Sequence, residues 1–112
     1  MNTVSREWIL NNECWLLDVR TAEELVHGML PRAHHIPLHD LASAVAMEPS
    51  LFSKTYGYTK PSKQTHIVVY CRTGKRSAQA QRLLTSLGYT ALNYAGSIWE
   101  WSEYDPSVRR YT

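Results

Sequence analysis

The stretch HIVVYCRTGKRSAQAQRLL, residues 66–84, does most to limit the folds open to this chain. It starts with an apolar run rich in β-branched residues, which predicts a strand buried on both faces. A polar loop containing Gly74 follows at once, and apolar residues at helical spacing then predict an amphipathic helix over residues 77–87. Strand, tight loop and helix in this order form the repeating unit of parallel α/β sheets.

The rest of the chain alternates strand and helix patterns in the same way. Three further segments predict strands: CWLLDV at 14–19, AHHIPL at 33–38 and TALNY at 90–94. Three other segments predict helices: residues 3–10, 21–28 and 38–46. We therefore predict an α/β fold with a parallel sheet of about five strands and helices on both faces.

Length, composition and charge limit the class of protein. The chain has 112 residues and 44% of them are hydrophobic, so we expect one core and a single domain over residues 1–112. The formal charge is only +2 and basic residues occur in short runs, which argues against nucleic acid as a partner. No apolar stretch approaches the ~20 residues of a membrane span, so we expect no membrane partner either.

Cysteine usage and the N-terminus indicate the compartment. Two cysteines in such a chain do not make a disulfide framework, so a reducing compartment is expected. The N-terminal segment lacks the charged-then-apolar layout of a secretory signal, and with both Arg6 and Glu7 it is a poor transit peptide. We expect a cytoplasmic protein, with mitochondria as the alternative.

Cys71 stands where the buried strand ends and the loop CRTGKR begins. Ligands of open α/β sheets bind where strands end and helices begin. If this loop curls, its backbone N–H groups form an anion nest at the positive end of the following helix. The nest and the loop cations should lower the Cys71 pKa and favour the reactive thiolate. Cys14 opens an apolar strand away from such charges, so we interpret it as a structural thiol.

Two further groups of residues need an interpretation. Asp18 and Arg20 end a strand at the sheet edge of Cys71, where Asp18 could accept hydrogen bonds near the active-site loop. We prefer a structural network of paired charges, because buried charges are normally paired. The cluster HHIPLH suggests a metal site, but neighbouring histidines in a strand point to opposite faces, so we predict no metal.

Three motifs in order make the chain resemble a single-domain rhodanese, a thiosulfate sulfurtransferase-like protein. LLDVRTAEELVHGMLPRAHHIPL resembles the family's first conserved segment, VVYCRTGKRSAQAQRLLTSLGY its active-site loop and helix, and NYAGSIWEW its closing segment. The chain departs from the family at Met29, where histidine is usual, and at Arg32, where glycine is usual. Both departures concern the turn geometry of the first segment.

The resemblance implies a mechanism in two half-reactions. The Cys71 thiolate would take the outer sulfur of thiosulfate or another persulfide donor and pass it to cyanide, a small thiol or a protein thiol, such as that of a thioredoxin-like protein. No cofactor is implied. Because guanidinium groups fork onto oxyanions, we expect Arg72 and Arg76 to bind the donor more closely than Lys75. The residues that would hold the donor and the persulfide anion follow Cys71 directly: Arg72, Thr73, Gly74, Lys75, Arg76 and Ser77.

Two alternatives to sulfur transfer remain at this stage. A cysteine-dependent phosphatase or arsenate reductase-like enzyme also surrounds a thiolate with an anion nest, but its arginine falls six residues after the cysteine. Here that position is Ser77, and Arg76 falls one place early. The other alternative is a non-catalytic rhodanese module that carries sulfur or binds a partner, and such modules often lack the cysteine.

Overall fold

The computed structural model describes residues 2–112, which form four strands, five α-helices and one short 3₁₀ helix. The strands are β1 (Trp15–Asp18), β2 (His34–His35), β3 (His66–Tyr70) and β4 (Thr90–Asn93). The α-helices are α1 (Arg6–Asn11), α2 (Leu38–Ala46), α3 (Pro49–Tyr56), α4 (Lys75–Ser86) and α5 (Ser97–Trp101). The 3₁₀ helix, Glu23–His27, lies between β1 and β2.

The strands form one parallel sheet in the order β2-β1-β3-β4. This confirms the predicted α/β fold, with four strands in place of about five. The chain start adds only a single bridge from Thr3 to Asn93, flanked by backbone hydrogen bonds of 3.0 and 2.7 Å. The pairing does not extend into a strand because Ser5 caps α1. The Ser5 side chain accepts a hydrogen bond from the Trp8 N–H at 3.1 Å.

Successive residues of the central strand β3 face two different hydrophobic layers, as expected for a strand buried on both sides. Ile67 and Val69 pack into the layer that also holds buried residues of α2, α3 and α4. Val68 and Tyr70 pack on the other face with buried residues of α1 and α5. The helices thus cover both faces of the sheet, as predicted.

The helix after β3 begins earlier than the sequence pattern predicts. Helix α4 starts at Lys75 and not at Ser77, because Gly74 takes the N-cap position with φ of 100°. A side chain at Gly74 would also be excluded, since a Cβ there would lie 2.5 Å from the carbonyl oxygen of Ala95. The loop between Cys71 and the helix is therefore two residues shorter than predicted, and the first turn of α4 lies directly beside the cysteine.

The turn around Arg32 keeps the geometry that favours glycine. Arg32 has φ of 64°, in the left-handed region that residues with a side chain seldom adopt. Arginine in place of the family's usual glycine therefore keeps this turn, but in a backbone conformation that is strained for a residue with a side chain. Within residues 2–112, no helix is long and apolar enough to cross a membrane.

Candidate active site

The thiol of Cys71 lies at the carboxyl end of β3, enclosed by the backbone of the loop that follows. The residue is 1% exposed, and its Sγ accepts a hydrogen bond from the Gly74 N–H at 3.1 Å. The hydroxyl of Ser77, in the first turn of α4, lies 3.4 Å from the same sulfur. The predicted nest is thus present, and it is built from main-chain donors and one hydroxyl.

Hydrogen bonds with the segment that follows β4 hold this loop in place. The Cys71 N–H donates to Ser97 Oγ at 3.1 Å, and the Ser97 hydroxyl donates to the Tyr94 carbonyl at 2.8 Å. The N–H groups of Ile98 and Trp99 donate to the carbonyls of Cys71 and Arg72, at 3.1 and 3.0 Å. Ser97 itself is fully buried with φ of 53°, a conformation that its surroundings must impose.

Burial and hydrogen bonding shift the pKa of the Cys71 thiol in opposite directions. Burial raises the pKa, but hydrogen bonds from the Ser77 hydroxyl and from the N–H groups of Ser77, Gly74 and Thr73 outweigh it. The pKa of Cys71 therefore lies below its ordinary value, as predicted, and the thiolate is favoured. At Cys14 burial prevails over the nearby charge of Arg32 and raises the pKa, which fits the interpretation of Cys14 as a structural thiol.

Both loop arginines are engaged by protein partners. Arg76 donates two hydrogen bonds to the carboxylate of Glu24, at 2.5 and 2.9 Å. Arg72 donates to the main-chain carbonyl of Tyr111 at 2.8 Å, and its guanidinium also lies 5.8 Å from the ring centre of Trp99. Both guanidinium groups are thus held by protein acceptors, and Arg76 also interacts electrostatically with Cys71. Binding of the donor by Arg72 and Arg76 stays a prediction.

Thr73 and Lys75 are the exposed members of the loop. Lys75 makes no side-chain hydrogen bond or ion pair within residues 2–112, in contrast to the two arginines. Its ammonium group is therefore the loop cation that is most available to an anion approaching from solvent.

Asp18 and Arg20 lie at the same sheet edge, as predicted, and pair with each other. Asp18 is opposite Tyr70, the residue before Cys71, and its carboxylate accepts hydrogen bonds of 2.7–3.1 Å from the Arg20 guanidinium. Both side chains are fully buried. The pKa of Tyr70 is raised well above its usual range by burial and by the charge of Asp18. These contacts support the structural interpretation of the Asp18–Arg20 pair.

The loop does not offer the arginine fork of a phosphatase. Such an enzyme needs a guanidinium that turns onto the phosphate with two hydrogen bonds. Arg76 falls one position too early for this, and its guanidinium is already bound to Glu24. The nest therefore presents N–H groups and a hydroxyl to an anion on the sulfur, without a free arginine.

Three residues of the site were missing from the predicted set. Glu24 lies in the predicted helix over residues 21–28, and the Thr21 N–H donates to its carboxylate at 3.0 Å. Its second role, binding Arg76, joins residues 52 positions apart and has no local signal. Ser97 and Tyr111 also lie far from their loop partners in sequence, at separations of 26 and 39 positions, although Ser97 lies in the closing motif GSIWEW.

Fold and site together define an α/β protein with a cysteine at the carboxyl end of a parallel sheet, whose thiolate form is favoured by the surrounding hydrogen bonds. Comparison with known proteins identifies its family. The sequence pattern of the rhodanese-like domain matches residues 5–104. A human protein named thiosulfate:glutathione sulfurtransferase is 44% identical over 100 residues, which is 88% of this chain and 87% of that protein.

A solved structure and a further relative agree with this. The human single-domain sulfurtransferase TSTD1 superposes with a TM-score of 0.87 at 41% identity, covering 94% of this chain and 98% of that structure. RDL2 of Saccharomyces cerevisiae, named a mitochondrial thiosulfate sulfurtransferase, is 30% identical over 81% of this chain and 62% of its own length. The chain belongs to the rhodanese-like domain family, and the predicted class of enzyme, a sulfurtransferase, is confirmed.

Proposed function

We propose that this protein moves the sulfane sulfur of thiosulfate to a thiol or to cyanide through a persulfide on Cys71. The observation that carries the proposal is the nest itself, in which the Gly74 N–H and the Ser77 hydroxyl converge on the Cys71 sulfur. These donors stabilise the attacking thiolate. They also suit the persulfide anion, whose charge lies on the sulfur added beyond Sγ.

In the first half-reaction the Cys71 thiolate attacks the outer sulfur of thiosulfate. A bond forms between Sγ and that sulfur, the sulfur–sulfur bond of thiosulfate breaks, and sulfite leaves with the electron pair. The product is Cys71–S–S⁻, so no oxidant and no net proton are required. The backbone of residues 72–77 would hold the donor and then the persulfide, with Lys75 attracting the anion from solvent.

In the second half-reaction the acceptor attacks the outer sulfur of the persulfide, and the Cys71 thiolate leaves with the electron pair. Cyanide gives thiocyanate in this step, and a thiolate gives a new persulfide. Glutathione is our first choice of acceptor because a 44% identical relative carries it in its name. A thioredoxin-like protein is the alternative acceptor, since its reactive thiol has the same chemistry.

We propose the cytoplasm as the compartment, with mitochondria as the alternative. Two unpaired cysteines fit a reducing environment, and two relatives are named as mitochondrial. Fusing a fluorescent protein to the C-terminal end of the chain and imaging the cells would distinguish the two.

Protein mass spectrometry tests the reaction directly. After incubation with thiosulfate and removal of excess donor, the protein should gain the mass of one sulfur atom on the peptide that contains Cys71. Addition of cyanide should remove that mass and release thiocyanate. If the mass does not change, or if the added sulfur stays in the presence of cyanide, the proposal is wrong.

A further inference from the structure

The C-terminal segment, residues 107–112, lies outside the part of the chain that the family pattern matches, yet it packs against the active-site side of the fold. Val108 is 2% exposed, and the Arg109 N–H donates to the His27 carbonyl at 2.9 Å. A Cβ at Gly28 would lie 2.2 Å from the Ser107 carbonyl oxygen, so the close approach of the two segments requires glycine there. The tail is therefore anchored along the segment after β1.

Tyr111 lies at the centre of this contact. Its hydroxyl donates to Glu24 Oε2 at 2.7 Å and accepts a hydrogen bond from Arg20 Nη1 at 3.0 Å. Its ring stacks on His27 with 4.1 Å between ring centres and 12° between planes. A single side chain near the end of the chain thus binds one acidic and one basic group, and both groups belong to networks at the active-site edge.

Tyr111 is connected to both ends of the catalytic loop. At the start of the loop, Arg72 Nη1 donates to the Tyr111 carbonyl at 2.8 Å. In the first turn of α4, Arg76 binds the same Glu24 carboxylate that accepts the Tyr111 hydroxyl. Glu24 remains ionised, because its hydrogen bonds with Arg76 hold its pKa well below the usual range. The tyrosine and Arg76 therefore share one fixed negative charge.

We propose that Tyr111 is a positioning residue for the catalytic loop, which fixes Arg72 through its carbonyl and Arg76 through Glu24. The two guanidinium groups then stay at defined places around the nest, where their charge acts on the thiolate and on an arriving dianion without binding it directly. Loss of the hydroxyl leaves the buried Arg20 Nη1 and the Glu24 carboxylate each without one partner, so both groups shift to find another. This role of Tyr111 rests on the proposed function only in its expected effect on the kinetics of sulfur transfer.

The first test compares Tyr111→Phe, Tyr111→Ala and the matched control Tyr104→Phe. Tyr104 is 58% exposed and makes no side-chain hydrogen bond within residues 2–112, so the control removes the same atom outside the network. With 2-mercaptoethanol as a neutral acceptor, we expect Tyr111→Phe to lower kcat/KM for thiosulfate about threefold and Tyr111→Ala about tenfold. We expect kcat/KM for the acceptor to stay within twofold, since that step involves no incoming dianion, and Tyr104→Phe to match the wild type.

The second test does not depend on turnover. The rate of Cys71 alkylation by iodoacetamide at neutral pH should fall about threefold in Tyr111→Phe, because a looser loop favours the thiolate less. The same substitution in a Glu24→Gln background should have no further effect if Tyr111 acts through Glu24. If the wild type transfers no sulfur, the proposed function fails while this result still decides the role of Tyr111.

One outcome would overturn the positioning role. If Tyr111→Phe lowers Tm but leaves both the alkylation rate and kcat/KM for thiosulfate unchanged, the tail only stabilises the fold. Should Tyr111→Ala fail to fold, Tyr111→Phe decides alone, because it keeps the ring stacked on His27 and the carbonyl that binds Arg72.

Discussion

Arg76, in the first turn of α4, forms a two-point ion pair with Glu24 of the 3₁₀ helix, with hydrogen bonds of 2.5 and 2.9 Å. The pair joins the catalytic loop to the segment after β1 and compensates one of the three loop cations. Arg76 thus supports the loop, and the nest around Cys71 is left to backbone and hydroxyl donors.

The role of Cys71 is tested by exchanging each cysteine in turn. Cys71→Ser should reduce thiosulfate:cyanide turnover to background, because a serine hydroxyl cannot form the persulfide. Cys14→Ser is the matched control and should keep most of the activity, since Cys14 is partly buried away from the loop and its raised pKa keeps it protonated. Circular dichroism should show both variants folded. Retained turnover in Cys71→Ser would end the sulfurtransferase hypothesis.

The two thiols should also titrate differently. The midpoint of iodoacetamide alkylation against pH should lie below the ~8.5 of a free cysteine at Cys71 and above it at Cys14, read by peptide mass in one sample. Ser77→Ala should move the Cys71 midpoint upward, because the Ser77 hydroxyl is the first of the hydrogen bonds that lower this pKa. Equal midpoints at the two cysteines would show that the nest does not stabilise the thiolate.

The ion pair between Glu24 and Arg76 should make stability depend on pH. The folded pKa of Glu24 lies well below its unfolded value of ~4.3, so its contribution is complete above that value and is lost as pH falls towards the folded pKa. Because the pair is partly exposed to solvent, we expect Glu24→Gln to cost about 1 kcal/mol of unfolding free energy at pH 7. Urea unfolding at pH 7 and pH 3 should show this difference shrinking at the lower pH, and a constant difference would contradict the prediction.

Long-range attraction of the donor should depend on Lys75 more than on the paired arginines. Lys75→Ala should lower kcat/KM for the dianion thiosulfate about twofold to threefold at low salt, and less for the monoanion 3-mercaptopyruvate. Added salt should remove the difference, because screening weakens attraction between exposed charges. Lys54→Ala, an exposed lysine at the end of α3, is the matched control. A loss for thiosulfate that persists at high salt would point to direct contact with the donor instead.

Several features of this protein could be predicted from local sequence alone. The continuous apolar run that ends at Cys71 predicts a strand buried on both faces. In the structure, successive residues of β3 lie in two different hydrophobic layers. Gly74 in a short basic loop predicts a nest, and that glycine has the positive φ which such a turn requires. These predictions succeed because strand burial, turn conformation and helix polarity are set by residues close together in the chain.

The start of α4 and the number of strands could be predicted less well. The helix begins at Lys75 because Gly74 packs against Ala95, which lies 21 positions further along the chain. The chain start gives only a bridge at Thr3, since the Ser5 cap turns the backbone into α1. Propensity patterns report neither the contact of Gly74 with Ala95 nor the bridge from Thr3 to Asn93, because each joins segments that are distant in the chain.

The sequence by itself determined the parallel α/β architecture, the place of Cys71 at the end of a buried strand and the residue types of the loop that follows it. Tertiary structure alone decided where each loop charge acts: Glu24 takes up Arg76, Tyr111 takes up Arg72, and Lys75 is left facing solvent. The physical reason is that a guanidinium pairs with whichever acceptor the fold brings within about 3 Å, and these acceptors lie far away in the chain. A side chain's type is written in the sequence, but its partner depends on the packing of distant segments.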